Sequence, residues 1–264
     1  MKPNLYSLIS YARYLLRSGS SHSVHSPFVF KLIEDVFKGQ RGSNKFKKLD
    51  LLRSAMLRKK YLIEITDYGT GKNKNEYTLR FESMSSVAKK SAITDKFGRL
   101  LYRLVDEFKP ATILELGTSI GFSTMYMALA HPATKIYTVE GCPKKAEQAQ
   151  SNFKTLGVEN VEQHVGRFDI VLPDLIQQVK DVDFVFIDGN HTYKSTIKYF
   201  EMLLPIANND TVFVFDDIHW SDGMERAWNV IAKHNQTTVS IDIFRFGIVF
   251  LKKELSKQHF VIKF

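Results

Sequence analysis

Residues 113–123 read I-L-E-L-G-T-S-I-G-F-S, and residues 136–140 read I-Y-T-V-E. One carboxylate, Glu115, stands inside the first apolar run. Gly117 and Gly121 follow it, with hydroxyls at Thr118 and Ser123, and a second carboxylate, Glu140, ends the next apolar run 23 residues after Gly117. Glycine reaches dihedrals closed to other residues and lets a ligand approach the backbone. The unpaired N–H groups of a helix that starts near Phe122 attract a carboxylate or a phosphate. An acidic side chain at the spacing of Glu140 accepts hydrogen bonds from both hydroxyls of a ribose. The predicted chemistry is the holding of an adenosine whose far end is anionic.

The glycines follow G-x-x-x-G and lack the third glycine of dinucleotide enzymes, which disfavours a pyrophosphate. S-adenosylmethionine, an adenosine carrying an amino-acid tail, fits that description. A second constellation lies downstream. Asp188 ends F-V-F-I-D, and Asp216 and Asp217 end V-F-V-F-D-D. Ligands of open α/β sheets bind at the carboxyl ends of the strands, so three carboxylates are expected to gather there. Like charges repel, and a hard divalent cation such as Mg²⁺ with oxygen ligands relieves the repulsion. His191, three residues beyond Asp188, is a candidate general base, the alternative being a helix cap shared with Thr192. His219 and Trp220 either line an acceptor pocket or pack a loop. Tyr193 is expected to pack under its helix, and Cys142 to act as a small filler.

The elements that must position these groups follow from hydropathy. Strands at Thr112–Leu116, Lys135–Glu140, Val161–Val165, Val182–Asp188 and Thr211–Asp216 alternate with amphipathic segments, which predicts a parallel sheet covered on both faces. Thr238–Phe244 and Phe246–Leu251 are separated by Arg245 alone, too short a link for a crossover helix, so they form an antiparallel hairpin. The tail His259–Phe264 alternates and adds a strand to a sheet not deducible from sequence. Leu5, Leu8, Ile9, Ala12, Leu15 and Leu16 follow helical spacing, and Ser26-Pro27 caps a second helix. A further helix is expected over 49–60, a strand over Tyr61–Thr66, and a helix from Phe97 to Phe108 that Pro110 stops. Asp67-Tyr68-Gly69-Thr70-Gly71 imitates a cofactor loop, but the polar, glycine-free residues after it make a hairpin turn the better reading. His22 and His25 are spaced H-x-x-H in a Ser/Gly-rich loop without further ligands, a poor metal site. Residues 1–90 are expected to form a mainly helical extension or lid and 91–264 the catalytic domain.

With 264 residues and 44% apolar composition the chain can bury a full α/β core. No apolar run is long enough to span a bilayer, and a single cysteine suits a reducing compartment, so a cytoplasmic protein is expected. Of the 37 Lys and Arg, 22 lie within residues 1–110, against 10 of the 28 Asp and Glu. The net charge of +9 is thus N-terminal, with clusters at Lys45–Lys48 and Arg58–Lys60. Such clusters fit an acidic partner such as nucleic acid, but sparse aromatic interleaving favours a solvated helix face.

With E-L-G-T-S-I-G-F-S, V-E-G, F-I-D-G-N-H-T-Y and F-D-D all in order, the chain over roughly 91–252 resembles the class I S-adenosylmethionine-dependent methyltransferases, near the catechol and macrolide-sugar O-methyltransferases. The resemblance implies a doubly wound, Rossmann-like, mostly parallel seven-stranded sheet closed by the hairpin. It implies that Glu115, Gly117, Thr118 and Gly121 hold the methionine end, that Ser123 takes its carboxylate, and that Glu140 with Gly141 holds the ribose. It also implies that Arg167 and Phe168 face adenine and that Asp188, Asp216 and Asp217 hold Mg²⁺, the alternative being that Asp188 bonds only the cofactor's amine and Asp217 caps the next turn or helix. His191 stands where catechol-type enzymes carry a lysine base, and Asp217 where an asparagine is frequent. The implied acceptor is a hydroxyl of a small molecule or sugar, and a homo-oligomer is compatible. The competing readings are an N- or RNA methyltransferase using the basic N-terminal face, disfavoured by the lack of an N-P-P-[YF] motif, a non-catalytic module that keeps the fold, and a nicotinamide oxidoreductase, disfavoured by the hairpin.

Overall fold

The structure, a computed structural model, describes residues 5–39, 43–68 and 77–264. It divides into two compact units, one of Met1–Lys38 with Val179–Phe264 and one of Gly39–Gln178. This division differs from the boundary expected at 90/91, because the first helices group with the C-terminal strands and the rest of the expected extension does not.

The first unit opens with α1 (Leu5–Arg17) and α2 (Pro27–Leu32), the latter continued by a π-helical turn at Ile33–Phe37. Ser26 caps α2 by accepting from Val29 N, with Pro27 at the first helical position, as its sequence predicts.

In the second unit, α3 (Lys47–Met56) leads to an antiparallel pair, β1 (Leu62–Asp67) and β2 (Thr78–Ser83). The antiparallel pairing agrees with the hairpin reading, while Gly69, Thr70 and Gly71, where the turn is expected, lie outside the described residues. There follow α4 (Met84–Ser91), α5 (Asp95–Phe108), β3 (Thr112–Leu116), α6 (Phe122–Ala130), β4 (Lys135–Glu140), α7 (Pro143–Leu156), β5 (Val161–Val165) and α8 (Phe168–Val179). β3 pairs parallel with β4, and β4 with β5. Ile113, Leu114 and Leu116 of β3 are completely buried, as a strand covered on both faces requires. α5 and α6 pack together so closely that a Cβ on Gly98 would lie 2.2 Å from the Tyr126 ring.

The first unit resumes with β6 (Val182–Ile187), α9 (Tyr193–Leu203), β7 (Ala207–Phe215), α10 (Asp222–Lys233), β8 (Val239–Asp242), β9 (Gly247–Phe250) and β10 (Gln258–Val261). β6 and β7 are parallel, β9 runs antiparallel to both β7 and β8, and β10 lies parallel to β8. These five strands follow the order β10-β8-β9-β7-β6, and with β3, β4 and β5 they bring the strands of the large sheet to eight, not the expected seven. The eighth is the tail strand. β8 and β9 are shorter than expected because Phe244 takes a left-handed φ of 69° and turns the chain, which leaves Arg245 in the turn.

The tail also fixes α1. Tyr14 is buried and its hydroxyl donates to Ile262 O at 2.6 Å, while Phe264 N donates to it at 3.1 Å. Gly19 N donates to Val261 O, Lys263 N donates to Gly19 O, and the rings of Phe37 and Phe264 meet edge to face. Burial pushes the Tyr14 hydroxyl up to about 12, so it stays a neutral donor. Tyr14→Phe leaves the Ile262 carbonyl and the Phe264 amide without this partner, and should cost about 1–2 kcal/mol. The check is the urea unfolding midpoint at an unchanged m value; an unmoved midpoint would show that water replaces the bond.

Candidate cofactor and acceptor site residues

In the second unit the loop after β3 is built by positive-φ residues. Gly117 has φ 110°, Gly121 has φ 86°, and Ser119 between them has φ 49°. Gly117 N donates to Val139 O, tying the turn to β4. Gly121 is also sterically required, since a Cβ there would lie 2.5 Å from the Phe153 ring. α6 begins immediately after it.

Glu115 is fully buried. Its Oε1 accepts from Ser123 Oγ at 2.5 Å, and its Oε2 from Thr124 Oγ1 at 2.5 Å and Thr138 Oγ1 at 2.6 Å. Thr118 in turn bonds Thr138 through their hydroxyls. Burial raises the Glu115 pKa, and the Glu140 charge adds to that, although three hydroxyl donors oppose it. The Ser123 proton, expected to face the cofactor carboxylate, is directed at Glu115 instead.

Glu140 is held from both sides. Ser119 N donates to Oε2 at 2.7 Å and Cys142 N to Oε1 at 2.8 Å, so the carboxylate at the tip of β4 has a fixed orientation. Cys142 is the buried filler expected, its sulfur accepting from Thr66 N at 3.4 Å. Gly141 leaves room for an aromatic ring that sequence reading missed, because a Cβ there would lie 3.0 Å from Tyr68. The Arg167 guanidinium lies 5.7 Å from the centroid of that ring, and its Nε and Nη2 engage Asp169. Phe168 opens α8 beside it. The cofactor candidates of this unit, Glu115 to Ser123, Glu140, Gly141 and Phe168, therefore lie at or just beyond the carboxyl ends of β3, β4 and β5.

In the first unit, Asp188 follows β6 and Asp216 and Asp217 follow β7. His191 Nε2 lies 3.5 Å from Asp188 Oδ1. Thr192 caps α9, its hydroxyl accepting from Ser195 N. Burial lowers the His191 pKa against the pull of Asp216, so the ring is neutral at physiological pH. Asp217 takes a left-handed φ of 54° and donates its N–H to Asp216 Oδ1. Burial, and then the Asp216 charge, push its carboxyl well above the usual carboxylate range.

Arg245 was not anticipated. It grips Asp216 with two parallel bonds, Nε to Oδ1 and Nη2 to Oδ2, both 2.7 Å, and its Nε lies 3.8 Å from Asp217 Oδ1. The available signal was a single cation in the otherwise apolar I-F-R-F-G turn, downstream of an acidic pair. Among the described residues no group of three His, Cys, Asp or Glu side chains is disposed to hold a metal. His25 is exposed and the His22 side chain lies outside the described residues.

His219 packs a loop. Its Nε2 lies 2.8 Å from Asp242 Oδ2 and its Nδ1 3.5 Å from Glu225 Oε2, while its ring stacks on Phe244. Tyr6 and Ser10 of α1 donate to the same Glu225 oxygen. Trp220 beside it is exposed, and Tyr193 lies under the Arg226 guanidinium.

A mostly parallel sheet with strands of this order is the α/β, Rossmann-like fold of methyltransferases. Residues 114–218 match the Methyltransf_24 family, described as a methyltransferase domain. The chain is 31% identical over 130 residues to a catechol O-methyltransferase of Niastella koreensis, covering 48% of this chain and 58% of that protein. It is 33% identical over 129 residues to a catechol O-methyltransferase of Mycobacterium tuberculosis, covering 48% and 57%. It thus spans somewhat over half the length of these curated relatives. Among solved structures it resembles an O-methyltransferase from Streptomyces achromogenes involved in tomaymycin synthesis, in complex with S-adenosylmethionine, at 28% identity and a TM-score of 0.56 over 61% of this chain and 82% of that one. Over residues 114–218 the chain thus matches a methyltransferase domain family, and the proteins it resembles are O-methyltransferases. Among its described residues no helix is long and apolar enough to cross a membrane.

The His219 cluster yields a pH prediction. Burial opposes its charge, but the bond to Asp242 and the charges of Asp242 and Glu225 prevail and raise its pKa. The resulting stability is complete below the unfolded value of about 6.5 and is lost as pH rises through the higher folded value. Urea midpoints measured across that range should fall toward alkaline pH in the wild type, and His219→Gln should remove that part of the slope. An equal slope in both proteins would dismiss the histidine as its source.

Proposed function

We propose that the protein transfers the methyl group of S-adenosylmethionine to a hydroxyl oxygen of a small molecule or sugar. The observation that carries this reading is the orientation of Glu140, whose carboxylate is held by the Ser119 and Cys142 amides at the end of β4, beside the glycine turn. In this reading Glu140 accepts from the ribose hydroxyls, and the turn from Gly117 to Gly121 with the start of α6 receives the amino-acid tail. Glu115 supports the turn through Ser123, Thr124 and Thr138 and offers negative charge to the donor's ammonium. Phe168, Arg167 and Tyr68 border the adenine.

On the acceptor side, His191 takes the hydroxyl proton and Asp188 orients and stabilises the imidazolium that forms. The acceptor oxygen then forms a bond to the methyl carbon as the bond from carbon to sulfonium breaks. The electron pair of that bond returns to sulfur, leaving the neutral thioether of S-adenosylhomocysteine. Because burial lowers the His191 pKa, the base is ready at neutral pH, and the rate should fall only as acid protonates it. Asp216 takes no part in proton transfer, since both of its oxygens are committed to Arg245.

Calorimetry with S-adenosylhomocysteine tests the donor half. Binding is expected in the wild type, and Glu140→Ala should weaken it by about tenfold to a hundredfold, the loss of hydrogen bonds to a charged group. No binding by the wild type would remove the methyltransferase reading. With an acceptor in hand, His191→Gln should lower kcat by about a hundredfold or more while leaving S-adenosylhomocysteine affinity unchanged. A kcat equal to that of the wild type would take His191 out of the chemistry.

A further inference from the structure

The resemblance assigns Asp188, Asp216 and Asp217 to a divalent cation, and the side chains present do not fit one. The Asp216 side chain is completely buried, and both of its oxygens are already matched. Oδ1 accepts from Arg245 Nε at 2.7 Å and from Asp217 N at 2.8 Å, and Oδ2 accepts from Arg245 Nη2 at 2.7 Å. A divalent ion on these oxygens would have to displace the guanidinium or sit against it, and two cations that close repel strongly. Arg245 is itself only a quarter exposed, and the turn between β8 and β9 holds it through Arg245 N to Ile243 O and Ile218 N to Arg245 O. Its attraction extends beyond Asp216, because the charges of Asp217 and Asp188 also favour the protonated guanidinium.

We propose that Arg245 is the resident cation of the acceptor-side carboxylates, in the role the resemblance gives to a divalent ion, and that these carboxylates bind no metal while it is in place. A planar fork suits this role better than an ammonium, since it satisfies both oxygens of one carboxylate at once. The substrate class follows. A divalent ion recognises an acceptor by chelating two neighbouring oxygens, and a guanidinium already spent on Asp216 makes no such demand. The acceptor hydroxyl need not belong to a vicinal pair. The inference takes its functional meaning from the methyl-transfer reading, but its test does not need turnover.

The probe is Mn²⁺, titrated into the full chain and followed by loss of the free-ion paramagnetic resonance signal. The wild type is expected to bind none at millimolar ion at a site sensitive to Asp217→Asn. Arg245→Gln uncovers three carboxylates and should gain Mn²⁺ affinity by about tenfold or more, and adding Asp217→Asn should remove the gain. Mn²⁺ binding by the wild type that Asp217→Asn abolishes overturns the proposal. A folded Arg245→Gln protein that gains no site overturns it equally. If Arg245→Gln does not fold, the comparison of wild type with Asp217→Asn still decides. S-adenosylhomocysteine calorimetry on the same samples separates the two claims, because absent donor binding sinks the methyl-transfer reading without touching the Mn²⁺ result.

Discussion

A carboxylate taken out of water costs several kcal/mol unless the protein supplies partners for its charge. The carboxyl ends of these strands bury several of them, and the local architecture is organised around that cost. Glu115 is met by three hydroxyls from α6 and β4, which couples the geometry of the glycine turn to the residues around it. Glu140 is met by two backbone amides, so its orientation depends on the path of the loop after β3 as much as on its own strand. Asp216 is met by a guanidinium carried on a turn far along the chain. Each solution is different, and each uses the elements that flank the acid.

The distribution of charge partners explains what could be read from the sequence. The alternation of strand and helix segments located β3, β4 and β5 at their observed bounds, and β6 and β7 to within a few residues; β3 and β6, buried on both faces, leave a near-continuous apolar record, which the half-exposed β5 does not. The glycine turn and Glu140 were legible for a local reason: left-handed φ and an acid at a strand end are properties of one short segment. The hairpin of β8 and β9 was legible from the shortness of its link. Arg245 was not, since its partner Asp216 lies 29 residues away and no spacing rule joins a cation in a turn to an acid on another strand. Tyr68 was missed for a related reason. The space that admits it is created by the missing side chain of Gly141, and an absence on one segment carries no mark on the other. His219 remained ambiguous because an acceptor-lining histidine and a packed one look the same until Asp242 and Glu225 are seen on either side of it.

The N-terminal residues illustrate the limit of reading a chain in order. Their composition and charge marked them as an extension to a catalytic domain. In the structure α1 packs with the final strand and with the residues around Glu225 and Phe244, so compactness follows partners separated by most of the chain. Amphipathic periodicity states that a helix has a face to bury and gives no address for it.

That arrangement has a consequence for how the protein is made. Tyr14 and its acceptor carbonyl at Ile262 are 248 positions apart, and Gly19 waits for the same segment. A ribosome exposes α1 well before it makes the segment around Ile262 that completes the surroundings of Tyr14. Contacts of such separation carry a high loop-closure cost and slow the approach to the native state. Leu8, Leu15 and Leu16 of α1 remain substantially exposed even when folding is complete.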